Sequence, residues 1–145
     1  MDYKSSFKTN ATPAVAFHAI TKEIHKWWGK VDNPVEKVGD EFSIYFGETE
    51  WRFEITTYNE DEQLTWQCIK ANHVHEGLDD IKTEWLNTSV VWKITPVADQ
   101  TEISITHNGL NQDLNCYEVC KAGWDYYLLT SLREYLDTGS GTPYL

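Results

Sequence analysis

Residues 41–55 read EFSIYFGETEWRFEI, and apolar side chains occupy every second position in both halves of this stretch. The alternating residues are Phe42, Ile44 and Phe46, followed by Trp51, Phe53 and Ile55. Successive side chains of a β-strand point to opposite faces, so the pattern predicts two strands, each with one buried face. The short connection between them predicts a hairpin.

The same period of two extends from Val38 to His107. Its further apolar members are Leu64, Trp66 and Cys68, then Val90, Trp92 and Ile94, then Ile103 and Ile105. Short turns separate most of these runs, which predicts an antiparallel meander. Residues 72–87 are polar and too many for a tight turn, so we expect a long hairpin loop whose ends extend the neighbouring strands.

Helical signals flank the predicted meander. Residues 3–9 alternate weakly and predict a first strand, and Thr12-Pro13 then provides a helix N-cap and first turn. Two short helical pieces are expected before Gly29. From Leu114 to Tyr135 the apolar residues recur at steps of three or four, which predicts a helix of about six turns. The predicted class is α+β, with a curved antiparallel sheet wrapped around a long C-terminal helix.

Composition narrows the classes of function. The chain has 145 residues, and 12 Lys and Arg against 23 Asp and Glu give a net charge of −11 at pH 7. This balance disfavours nucleic acid and anionic membranes as partners. No apolar run suits membrane insertion or a signal peptide, and three cysteines form no disulfide framework. We therefore expect one cytoplasmic domain over residues 1–145.

A curved sheet and one straight helix do not match in shape. A twisted sheet curls, and a helix touches its concave side along a line. The remaining space is either filled by large side chains or left as a cavity for a ligand. The seven Trp and eight Tyr of the chain suit both alternatives.

Three strings resemble one known group of proteins. Residues 123–139, GWDYYLLTSLREYLDTG, are similar to the closing helix of the group named after the C-terminal domain of the activator of heat-shock-protein ATPase. Residues 63–66, QLTW, resemble a strand of that group, and residues 14–21, AVAFHAIT, resemble its first helix. The group is part of the START-like (SRPBCC, helix-grip) superfamily, which also contains the major birch pollen allergen and polyketide cyclases. The resemblance implies a cavity between sheet and helix, and it does not imply one function.

The predicted function is binding of an apolar or aromatic small molecule in that cavity, without catalysis. The expected lining residues are Phe46, Trp51, Phe53, Trp66, Trp92, Ile105, Trp124, Tyr127 and Leu128. Tyr127 is expected to orient a polar group of the ligand. Two alternatives remain: a cyclase- or hydrolase-like enzyme that uses a pocket His or carboxylate, and a module that interacts with a chaperone.

Other polar or reactive residues are expected to be structural. His73 and His75 are two apart, as two ligands of one metal would be on a strand, but an exposed strand end is expected. Cys116 and Cys120 share a helical face without a His beside them in sequence, so we expect buried packing, no metal and no cofactor. Trp27 and Trp28 form either a lid or packing at the sheet rim. Gly123 inside a helix suggests a close approach or room for a ligand.

Overall fold

The computed structural model describes residues 1–145 as one curled, seven-stranded antiparallel sheet wrapped around a long C-terminal helix. The strands are β1 (Tyr3–Thr9), β2 (Lys30–Val31), β3 (Glu41–Phe46), β4 (Thr49–Asn59), β5 (Gln63–Asn72), β6 (Ser89–Val97) and β7 (Gln100–Asn108). Their order across the sheet is β1-β7-β6-β5-β4-β3-β2. The predicted α+β class and helix-grip arrangement are confirmed.

The first helix begins at Pro13, as the sequence signals predicted, and the last long one begins at Tyr117, three residues after the predicted start at Leu114. The helices are α1 (Pro13–Thr21), a 3-10 turn (Ile24–Lys26), α2 (Tyr117–Tyr126), a π-helical segment (Tyr127–Leu132) and α3 (Arg133–Thr138). The Thr12 side chain caps α1 by accepting a hydrogen bond from the backbone of Val15 (3.2 Å). The last three segments follow one another without a break and are called the C-terminal helix below. No helix of the chain has the length and apolar character needed to cross a membrane.

The alternating apolar residues of the sheet face inward. Phe42, Ile44, Phe53, Leu64 and Trp66 are fully buried. The predicted strand parity is therefore correct, because a slip of one residue would have turned these side chains to solvent. Two register shifts between β4 and β5 add local bending to the sheet where it curves around the helix.

Trp27 and Trp28 lie inside the protein. Both are buried, and the Trp27 indole N–H donates to the carbonyl of Ala19 (2.9 Å). Trp28 stacks between Trp66 and Trp124, in the space between sheet and helix. Of the two alternatives for this pair, the rings pack between the sheet and the C-terminal helix and do not form a lid, since both are buried.

The chain after α3 folds back on this buried pair. Gly139 ends the helix in the left-handed conformation (φ 87°). The buried Ser131 hydroxyl donates to the carbonyl of Trp27 (2.6 Å) and accepts from the backbone N–H of Thr142 (2.8 Å). The backbone N–H of Tyr144 donates to the carbonyl of Trp28 (2.9 Å). The residues after Gly139 are thus fixed to the segment that carries Trp27 and Trp28.

The close approach at Gly141 gives a test of this arrangement. A Cβ atom at position 141 would lie 2.6 Å from the backbone oxygen of Lys26, whereas a Cβ atom at Gly123 would meet nothing within 4 Å. We expect Gly141→Ala to lower the free energy of unfolding by about 1–3 kcal/mol. Gly123→Ala, the matched control, should leave it unchanged or raise it by up to about 1 kcal/mol. Urea denaturation of both variants measures the difference, and equal stabilities would contradict the close contact.

Candidate functional site

A cavity of about 370 Å³ lies between one end of the sheet and the C-terminal helix. Its walls come from β3, β4, the segment after β5, and the helix, and ten of its fifteen lining residues are hydrophobic. A larger depression of about 710 Å³ lies beside Lys30 and Tyr45, but none of its six lining residues is buried. We therefore take the smaller, better enclosed cavity as the candidate site.

The floor of the cavity is built from stacked indole rings. Trp51 stacks on Trp85 with ring centroids 3.9 Å apart, and Trp85 lies parallel to Trp124 at 6.1 Å. Trp124 stacks on Trp28 at 4.8 Å, and Trp28 stacks on Trp66 at 5.5 Å. We call these five residues the tryptophan column. Its first four members contact the cavity, and Trp66 lies in the core beyond it.

The mouth of the cavity is formed by side chains that reach solvent. Val74, His75, Glu76 and Tyr144 line the cavity and are exposed. Gly123 lines the helix wall, and outside the local helix backbone nothing lies within 4 Å of the position that its missing Cβ would occupy. Of the two explanations for this helical glycine, the structure shows free space and not a close approach.

The nine side chains expected around a ligand divide into two groups. Phe46, Trp51, Trp124 and Tyr127 line the cavity. The other five are buried in the core behind it and do not line it: Phe53, Trp66, Trp92, Ile105 and Leu128. Packed side chains therefore fill most of the space between the curved sheet and the straight helix, and this space stays open at one end.

Several lining residues were not foreseen from the sequence. Trp85 and His73 belong to the loop between β5 and β6 (residues 73–88), which folds inward. The expectation that the ends of this loop extend the strands is wrong, because β5 ends at Asn72 and β6 begins at Ser89. His73 is buried, so its expected position at an exposed strand end is wrong. Its ring packs on Trp51 at 4.8 Å, and its backbone N–H donates to the carbonyl of Lys82 (3.0 Å). A tryptophan within an otherwise polar loop was the available signal, because such a ring needs an apolar contact.

His107 holds Trp124, a member of the tryptophan column, by a hydrogen bond. Its Nδ1 accepts a hydrogen bond from the Trp124 indole N–H (3.1 Å), and its Nε2 lies 2.9 Å from the Thr88 hydroxyl. This pattern requires a neutral ring with its proton on Nε2, since Nδ1 acts as an acceptor. Burial lowers the pKa of His107 to about 3, and the only charged group that opposes this shift is Asp2.

Two cysteines and a histidine meet at the side of the cavity. Ligand atoms of His73, Cys116 and Cys120 all lie within 4.8 Å of one another, and all three residues are buried. A hydrogen bond from Cys120 lowers the pKa of Cys116 to about 6, and His73 acts in the same direction. Sharing that hydrogen bond, together with burial, raises the pKa of Cys120. The pair therefore tends to hold one proton. Both cysteines are buried, as expected, and the inward fold of the β5–β6 loop supplies the histidine neighbour that the sequence alone did not place beside them.

Comparisons with known proteins agree with this architecture. The family model described as "Activator of Hsp90 ATPase homolog 1-like protein" matches residues 10–137. Among curated proteins, none matches the sequence significantly.

Solved structures resemble the chain in fold. The Aha1 dimer from Colwellia psychrerythraea has a TM-score of 0.79 at 21% identity, covering 97% of this chain and 99% of that one. DynU16, a protein in the dynemicin biosynthetic locus, has a TM-score of 0.74 at 18% identity, covering 95% and 48%. MLL2253 from Mesorhizobium loti has a TM-score of 0.69 at 20% identity, covering 88% and 92%. Identities this low establish a shared fold and no shared ligand.

The neutral state of His107 predicts a loss of stability in acid. Its folded-state pKa lies below the unfolded value of about 6.5, so protons bind preferentially to the unfolded chain as the pH falls. Stability present above pH 6.5 should decrease by about 1.4 kcal/mol for each pH unit between there and pH 3. His107→Gln keeps a donor and an acceptor but cannot titrate, so it should remove this part of the slope. His25→Gln, at an exposed position, should keep it. Urea denaturation between pH 7.5 and 5 measures both, and identical slopes in the two variants would contradict the assignment.

Proposed function

We propose a function from two premises: the chain belongs to the family of activator of Hsp90 ATPase homolog 1-like proteins, and one end of its sheet carries an aromatic cavity that opens to solvent. The proposed function is binding of a small apolar or aromatic molecule without chemical change. The observation that supports it most strongly is the tryptophan floor. Trp51, Trp85 and Trp124 present ring surface to a space that no side chain fills.

The shape and chemistry of the cavity limit the ligand. A volume of about 370 Å³ is near the lower end of the roughly 300–1,000 Å³ of small-molecule sites, which suits a molecule of two or three fused or linked rings. Trp51 Nε1 and His73 Nδ1 belong to lining side chains and are buried without hydrogen-bond partners. A ligand with a hydrogen-bond acceptor would satisfy the indole N–H. Glu76 at the mouth and the net charge of −11 favour a neutral or cationic molecule over an anion.

An enzyme is the second candidate, because His73 lines the cavity and an imidazole is the commonest general base. His75 and Glu76 lie at the mouth, and His75 Nδ1 is 2.9 Å from the backbone oxygen of Glu76. Mass analysis of the molecule recovered after incubation distinguishes the two functions. A binding protein returns its ligand unchanged, and an enzyme of the cyclase or hydrolase type returns a product of altered mass or chromatographic mobility.

Interaction with a chaperone is the third candidate, and the description of the family favours it. The exposed large apolar side chains, such as Val15, Ile69, Val74, Leu86 and Leu129, are spread over several elements.

A cytoplasmic location would suit interaction with a chaperone, and it agrees with three cysteines that form no disulfide. Co-purification with Hsp90 and stimulation of its ATPase would support this candidate, and neither effect is expected from a protein that only binds small molecules.

A substitution that fills the cavity tests the main proposal. Gly123→Leu places a side chain in the free space of the cavity wall, and Ala122→Leu places the same side chain on the exposed side of the helix. We expect Gly123→Leu to weaken binding of the neutral fluorescent probe N-phenyl-1-naphthylamine about tenfold or more, which corresponds to about 1.4 kcal/mol. Ala122→Leu should bind it as the wild type does. The measurements are a fluorescence titration and the ligand-induced rise in melting temperature.

Two results would contradict the proposal. One is wild-type protein that binds neither this probe nor any member of a panel of lipids and aromatic metabolites in native mass spectrometry. The other is a Gly123→Leu variant that is folded and binds the probe with unchanged affinity, because the probe would then occupy another surface.

A further inference from the structure

We propose that His73, Cys116 and Cys120 form a binding site for one zinc ion at the side of the cavity. Their ligand atoms lie within 4.8 Å of one another, and the three residues come from two distant parts of the chain. Two thiolates and one imidazole are a ligand set that zinc accepts, because Zn²⁺ binds sulfur and nitrogen in tetrahedral sites.

The fold holds the two cysteines in place for a common ligand. Cys116 immediately precedes α2 and Cys120 follows one turn later, so their side chains lie on the same helical face. The carboxylate of Glu84 accepts hydrogen bonds from the backbone N–H groups of Asn115 and Cys116, both at 2.9 Å. This contact ties the first turn of the helix to the β5–β6 loop, the segment that also carries His73.

An independent feature of His73 indicates a missing partner. Its side chain is buried, with 7% of the residue exposed, and its Nδ1 has no hydrogen-bond partner. A buried polar atom without a partner costs about 1–3 kcal/mol. The other buried histidine, His107, has partners on both ring nitrogens. A metal ion bound through Nδ1 would be the missing partner and would remove this unfavourable contribution.

The charges of the proposed ligands and the zinc ion cancel, which suits a buried site. Two thiolates and a neutral imidazole neutralise Zn²⁺, and binding releases any remaining thiol proton to solvent. The Trp85 indole N–H donates to the sulfur of Cys120 (3.3 Å), as partners beyond the direct ligands commonly do. In a tetrahedral site with Zn–S of about 2.3 Å and Zn–N of about 2.0 Å, ligand atoms lie roughly 3.5–4 Å apart. Small rotations of the three side chains are enough to bring the ligand atoms to this spacing.

Three protein ligands leave one tetrahedral position open. His73 and Cys120 line the cavity and Cys116 does not, so the open position is on the cavity side. A water molecule or an oxygen, nitrogen or sulfur donor of the cavity ligand would complete the coordination. This last step rests on the proposed function, whereas the zinc site itself does not.

Neighbouring residues of the same types supply matched controls. Cys68 is also buried, but its sulfur lies 3.4 Å from the carbonyl of Lys70 and it is not part of the set. His75 is exposed, two residues from His73. Neither is expected to bind the ion.

The test is metal titration of the full chain, purified under reducing conditions and treated with a chelator. We expect one equivalent of Co²⁺ to produce thiolate-to-metal charge transfer and the strong visible bands of tetrahedral coordination, and one equivalent of Zn²⁺ to abolish them. Cys116→Ser, Cys120→Ser and His73→Gln should each weaken zinc binding about tenfold or more in competition with a chromogenic chelator. Cys68→Ser and His75→Ala should bind zinc as the wild type does.

Wild-type protein without the thiolate band would overturn the site, and this result needs no variant to fold. Equal zinc affinity in all folded variants, or loss in Cys68→Ser alone, would also overturn it. Titration of the same samples with N-phenyl-1-naphthylamine separates the two proposals. Loss of zinc with intact probe binding contradicts the metal site only, and intact zinc with no probe binding contradicts the ligand cavity only.

Discussion

The tryptophan column is the constraint on which the rest of the structure depends. Its five rings come from β4, the β5–β6 loop, the C-terminal helix, the segment after the 3-10 turn, and β5. Each aromatic pair contributes about 0.5–1.5 kcal/mol beyond its buried area, and each also fixes the distance between two elements. His107 and Trp85 meet edge to face at 4.5 Å, which holds the column against the sheet. The helix, the loop and the sheet therefore cannot shift independently.

The column also explains where the cavity lies. Large rings fill the concave side of the sheet near its centre, where Trp92 and Trp27 pack edge to face. Beyond Trp51 and Trp85 the filling stops, and Gly123 leaves the adjoining helix surface bare. The cavity is thus open for two reasons: the column ends at Trp51 and Trp85, and Gly123 has no side chain to fill the space beside them. The same end of the column places His73 next to Cys120.

The alternation of Phe42, Ile44, Trp51 and Phe53 was enough to predict the strands and the side of each that is buried, because one physical period sets both. The shape mismatch between sheet and helix also predicted that aromatic side chains would gather between them. What sequence could not provide was the path of the β5–β6 loop, which follows no period. Trp85 and His73 enter the interior through contacts with residues far away in the chain, such as Trp51 and Cys120. The metal ligands are hidden from sequence for the same reason.

The central claim is that the four rings of the column that line the cavity form the floor of an accessible site, while Trp27, Trp66 and Trp92 are inaccessible core. The indole N–H resonances of the seven tryptophans in a ¹⁵N-labelled sample test this most directly, during titration with N-phenyl-1-naphthylamine. We expect the largest shifts for Trp51, whose N–H is buried without a partner, and for Trp85 and Trp124, with Trp27 and Trp92 unaffected. Indole resonances that do not move, or that all move alike, would contradict the account.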